Sequence, residues 1–150
     1  MRKREIKFRA KGFPLGEWRY GNIDVQDKQF SDMRGVDPID GARFVAAVQT
    51  PTIGEFTGVI LADGHELYED DIVERTVQSG KEKRMAVVAF ERGSFGLLEM
   101  RGNDTLFFPF GSWDEPEVDL FPNLKAIGNI HDNPEMLRKM KGKTRKEKNS

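Results

Sequence analysis

Short strand-like runs broken by turn residues recur along this chain, and they limit its fold more than any other feature. "EIKFRAK" alternates strictly: Ile6, Phe8 and Ala10 face one way and Lys7, Arg9 and Lys11 the other, the two-residue period of a half-buried strand. "GFPLG" ends it. "EWRYGNIDVQD" resumes with Trp18 and Tyr20 on one face, and the Gly21-Asn22 pair predicts a bulge or bend before Ile23 and Val25. "RFVAAVQT" and "TGVIL" are apolar runs of strand type, and Asp63-Gly64 after the second is a tight-turn signal. "MAVVAFE" and "FGLLEMR" predict a hairpin through a three-residue loop, "RGS". "TLFFPF" carries Pro109, which confines it to an edge or a strand end, and "LKAIGNI" is a last short strand. Residues 26–42, rich in Asp and Gly, read as a loop. Asn133, Pro134 and Glu135 suit the start of one short helix over 134–140, with Asn133 as its N-cap.

The sum is roughly eight short strands with turns about every ten residues, which points to a small barrel or sandwich. The 150 residues suit one domain, taken as 1–140, followed by a basic tail, 141–150, expected to be disordered. Apolar residues make up only 37%, but eleven Phe and two Trp supply large buried areas, so a core is affordable.

Composition removes several function classes. The absence of cysteine excludes a disulfide scaffold, a thiol nucleophile and cysteine-ligated zinc. Two histidines, His65 and His131, leave little for a histidine-rich metal site. No apolar run approaches the roughly 20 residues that span a bilayer, and the basic N-terminus has no apolar segment behind it. A soluble, cytoplasmic protein without a membrane partner is the expectation. Residues 1–11 carry six basic groups and one acid, and 138–150 carry seven and one. With a net charge of −1 overall, the body between them must hold −12. An acidic body with basic ends is not the surface of a typical nucleic-acid-binding domain.

Three separated segments resemble the YopX family of phage and prophage proteins: "REIKFRAK" with "WRYGNI", "TIGEFTG" leading into "DGHELYEDDIV", and "LKAIGNIHDNPEML". The resemblance covers about 4–137. It implies a mainly β fold, a small SH3-like barrel with additional strands and one short C-terminal helix, and it implies no activity. Where the family reads Tyr-Glu-Gly-Asp-Ile-Val, this chain has Asp70 in place of the glycine. Asp follows a left-handed backbone there at modest cost.

Each chemical candidate has a plainer reading beside it. Glu66, Glu69, Asp70, Asp71 and Glu74 cluster as hard-cation ligands do, but lack the spaced ladder of a calcium loop. They read as a solvated turn. Ile72 is placed in the core beyond it and Val73 on a second, partly covered face. His131 and Asp132, adjacent in sequence, point apart, and His65 has no evident partner, so no catalytic residue is assigned. No cofactor or metal is expected. Trp18, Tyr20 and Trp113 are the aromatics assigned to a candidate interaction surface; the others read as core. The expectation is a non-enzymatic protein-interaction module with an unidentified protein partner or a second copy of itself. An accessory nucleic-acid binder using its basic termini is the less favoured alternative, and an enzyme the least.

Overall fold

A computed structural model describes residues 5–77, 80–101, 104–110 and 123–149, with only the backbone described at 25, 77, 101 and 142–149. The chain is mainly β, as the alternation predicts. It divides into two compact units, Met1–Gly58 and Val59–Ser150.

The first unit contains β1 (Phe8–Lys11), β2 (Trp18–Gln26), β3 (Phe30–Val36), β4 (Arg43–Gln49) and most of β5 (Gly54–Ile60). These strands lie in the order β4-β3-β2-β1-β5. The core is small: Ala10, Met33 and Val48, with Phe8, Ile23, Phe44 and Ile53 packed against them. The strict alternation of β1 thus places Phe8 and Ala10 inward, as its period requires.

β3 corrects the loop expected over 26–42. Its inward positions are Ser31, Met33 and Gly35, too polar or too small to show the apolar half of an alternation. Ser31 is buried because its hydroxyl lies 2.7 Å from that of Thr50. The expected bulge in β2 is present, one step later than the Gly-Asn pair, between Ile23 and Val25.

The second unit begins at the end of β5, which is followed by β6 (Glu66–Tyr68), its neighbour in the sheet. Then come β7 (Asp71–Val77), β8 (Glu82–Glu91), β9 (Ser94–Arg101), β10 (Asp104–Pro109), β11 (Leu124–Asn129) and α1 (Pro134–Asn149). The last five strands form an antiparallel sheet, β10-β9-β8-β7-β11. Pro109 closes the edge strand β10, where a missing N–H costs least. The β8–β9 turn has two residues rather than three. Glu91 pairs with Ser94, and Arg92 and Gly93 both have positive φ, 51° and 80°, the mirror-image turn that matches strand twist.

This sheet is covered on both faces. One carries Val73, Ala86, Val88, Leu97 and Leu124, packed with Leu67 of β6. The other carries Ile72 and Val87 beneath Met136, Leu137 and Met140 of α1. Ile72 is in the core as expected. Val73 is not on a partly covered face: both residues are 0% exposed, because each face has its own cover. The helix continues past the expected 134–140 to Asn149. Lys, Arg and Glu are good helix formers, and an acidic first turn with basic residues beyond it complements the helix dipole. Asn133 precedes the helix, but its side-chain oxygen accepts the Asn129 N–H at 3.1 Å.

Candidate functional site

Two regions gather chemistry-bearing side chains. The first is the acidic stretch. Asp70 has φ 73°, the left-handed backbone that glycine would adopt freely. The turn is fixed on both sides, since the Asp70 N–H donates to Val88 O at 2.8 Å and Asp70 O accepts from Ile130 N at 3.0 Å. Turning there brings Asp71 back under the preceding strand. Its carboxylate, 1% exposed, accepts the Tyr68 N–H at 2.9 Å and lies 3.1 Å from His65 Nε2. Asp70 Oδ2 lies 2.9 Å from His131 Nε2.

The solvated-turn expectation is therefore corrected for Asp71, which is buried and bonded, and for Asp70, which holds a histidine 61 positions away. His131 and Asp132 lie in the turn after β11 rather than on a strand. Asp132 accepts from Asn129 Nδ2 at 3.1 Å, and Asn129 Oδ1 receives the N–H groups of His131 and Asp132. That small network sets the His131 ring toward Asp70. His65, without an evident partner in the sequence, gains Asp71.

A carboxylate on Nε2 orients an imidazole and favours a proton on that nitrogen. Catalysis would need a further group placed at the ring, and the described contacts are those of a clamp joining the 70–71 turn to the segment before α1. Among the described residues no three His, Asp or Glu side chains are arranged to hold a metal ion.

The clamp makes a graded prediction. Asp70→Gly loses the His131 contact but relieves the left-handed backbone, two terms of about 1 kcal/mol each with opposite sign. Its stability should stay within about 1 kcal/mol of the parent. Asp70→Ala loses the contact and keeps the strain, so it should cost about 1–2 kcal/mol. Urea melts giving Ala and Gly the same loss would show that φ at this position does not matter.

The second region is the outer face of β2, β3 and β4. Asn22 pairs with Arg34, and Arg34 with Val45, so the three form one row across the strands. Val36 and Arg43 form the next row. Val36 is 57% exposed and Val45 65%. Asn22, Arg34, Gly35, Val36, Arg43, Phe44 and Val45 line a pocket of about 460 Å³. Arg34 Nε donates to Asp24 Oδ2 at 2.8 Å, whereas Arg43 has no ion-pair partner among the described residues.

Tyr20, 46% exposed, lies two residues from Asn22 on β2 and so shares the pocket's face. Trp18 is half-buried, with Arg9 Cζ 4.7 Å and Lys11 Nζ 5.5 Å from its ring. Trp113 lies outside the described residues. Sequence reasoning did not find the arginine-flanked pocket, because β3 read as loop and its pairing with β4 was not visible.

Arg84 in the second unit is held above the usual arginine value. Its hydrogen bond to Glu82 is the main cause, opposed by desolvation and aided by the charges of Glu82 and Glu99. It stays a cation at any working pH and titrates nothing.

A mainly β chain with two antiparallel sheets, a His–Asp clamped turn and one terminal helix is the class these features define. Within it, the chain belongs to the YopX protein family, whose model matches residues 7–138. It is similar to the crystal structure of protein EF1440 from Enterococcus faecalis, with a TM-score of 0.51 and 18% identity, covering 90% of this chain and 99% of that one. At that identity the likeness concerns the fold. No curated protein matches the chain. No helix among the described residues is long and apolar enough to cross a membrane.

Proposed function

We propose that this is a non-enzymatic protein-interaction module of phage or prophage origin that works in the cytoplasm through the outer face of β2–β4. We take its scaffold as an SH3-like variant, a reading that the short antiparallel strands support. The observation that carries the function is the pocket of about 460 Å³ between Val36 and Val45. Two valines more than half exposed, side by side on a sheet face with Tyr20 nearby, form an apolar patch that folding does not require. Arginine and tyrosine at its margins are residue types that anchor protein interfaces.

Affinity capture with the full chain from induced host cells tests this. The parent should retain a defined protein that the Val36→Asp/Val45→Asp variant loses, at unchanged circular dichroism. The same set of proteins on both baits would remove the reading. Retention on DNA that falls steeply with salt and ignores both substitutions would favour the alternative, a nucleic-acid accessory protein using its basic termini.

A further inference from the structure

The face just described ends at a strand edge that is only half covered. Backbone direction along β4 follows from three contacts. Ala42 O accepts from Asp37 N, and Thr50 N donates to Gln29 O, so the even-numbered residues turn their N–H and C=O toward β3. Ala47 O accepts instead from Phe13 N at 3.0 Å, on the opposite side. The odd-numbered residues 43, 45, 47 and 49 therefore present their backbone groups to the outer edge.

Gly12 and Phe13 cover the C-terminal half of that edge. Gly12 bridges Val48, and Gln49 Nε2 donates to Gly12 O at 3.0 Å. The cover stops there, because the chain turns away at Gly12–Gly16, where Gly16 N donates back to Gly12 O. Arg43 and Val45 are left with the N–H and C=O of both residues facing outward on an edge strand. Unpaired groups on a strand edge are a ready template for a further strand.

We infer that β4 receives an extended acidic peptide of a partner protein as an added antiparallel or parallel strand along Arg43–Val45. This inference rests on the interaction-module reading and names the occupant of that surface. Backbone pairing supplies the attachment, and alternate side chains of the added strand reach the pocket beside Val45 and Val36. The charge selects the partner. Arg34 is already bonded to Asp24, but Arg43 lines the pocket unneutralised among the described residues, and no acidic residue lines it. A carboxylate on the added strand would complete Arg43 with a charge-assisted bond.

A second copy fits less well. Two β4 edges paired about Phe44 would set each Arg43 opposite Val45 of the other copy and use the outward backbone groups, but would bring two cations onto one face and neutralise neither.

The test uses the full chain and a labelled, end-blocked heptapeptide, Val-Thr-Glu-Thr-Val-Thr-Glu, one face of which carries valine for the pocket and glutamate for Arg43. Three comparison peptides replace glutamate by lysine, or N-methylate alternate amides on one edge or on the other. The glutamate peptide should bind at least about tenfold more tightly than the lysine peptide. N-methylation of one edge should abolish binding while the other edge tolerates it, since an added strand pairs along one side only. Arg43→Glu should reverse the preference for glutamate over lysine. Val45→Pro, which removes an outward N–H and no bond to β3, should weaken binding by at least about tenfold with the fold intact.

No binding of the glutamate peptide at about 1 mM, the weak end of specific association, would overturn the inference. So would equal sensitivity to methylation on the two edges, or an unchanged preference in Arg43→Glu. A dimer in sedimentation that Val45→Pro makes monomeric would also overturn it, by placing a second copy on the edge. The two readings fail separately. If capture loses its partner in Val36→Asp/Val45→Asp but the peptides give any of these results, the interaction surface stands and strand addition does not.

Discussion

Arg75→Met should destabilise the protein by about 3 kcal/mol, at the lower end of the range for breaking a buried ion pair from one side. Arg75 on β7 donates to Glu99 Oε1 on β9 from Nε at 3.0 Å and from its terminal nitrogen at 2.7 Å. Ala86 on β8 lies on the same face as Val73, and its small side chain leaves room for the guanidinium to reach β9. The Phe108 ring covers that guanidinium, 5.2 Å from its Cζ. The Glu99 side chain is 2% exposed, against 18% for Arg75. Removing the arginine therefore leaves a carboxylate that cannot reach water. The lower end applies because Glu99 also lies in the field of Arg84.

Arg75→Met/Glu99→Met should recover most of the loss, because apolar replacement of both partners removes the desolvation problem with the charge. Urea melts of both singles and the double give the coupling directly. A single-variant loss below about 1 kcal/mol would place this pair with exposed ones.

What the sequence disclosed followed from where its apolar residues fall. β1, β8 and β9 were legible because their inward positions are filled by Phe8 and Ala10, or by Ala86, Val88 and Leu97. β3 was not, because Ser31 and Gly35 do in that strand what larger side chains do elsewhere: one is buried through a hydrogen bond, the other lets a neighbour approach. A Cβ on Gly35 would fall 2.5 Å from Tyr20 O and 2.7 Å from the Phe44 ring. Substitution of a glycine by Asp70 did flag the left-handed turn, since few residue types replace glycine there.

The partners of that turn were beyond reach. His131 is 61 residues from Asp70, and nothing local marks it as the ring that the carboxylate holds. The pocket on the outer face of β2–β4 was not legible. Tyr20 shares its face, but the pocket is made by the register of β3 on β4, which a missed strand cannot supply.

Ile72→Ala and Val73→Ala should both be costly, about 3 and about 2 kcal/mol, with the difference set by one methylene and by how well each site can close. A partly covered Val73 would have made that substitution mild, but it is 0% exposed among Leu67, Ala86, Val88, Leu97 and Leu124. Those neighbours belong to strands locked by their ladders, so the space it vacates cannot collapse far. Ile72 meets Val87 and the α1 residues Met136, Leu137 and Met140. A helix lying on a sheet can slide, and methionine refills gaps readily, which recovers part of the larger loss. The two variants should thus lie within about 1 kcal/mol of each other in urea. They should separate in hydrogen exchange. Ile72→Ala removes the residue α1 packs on, so amides of α1 should lose more protection than those of β8. Val73→Ala should lower α1 and β8 together, as a global loss does. A Val73→Ala cost below about 1 kcal/mol would mean that its face is open after all, and α1 exchange unaffected by Ile72→Ala would mean that the helix is not held by that side chain.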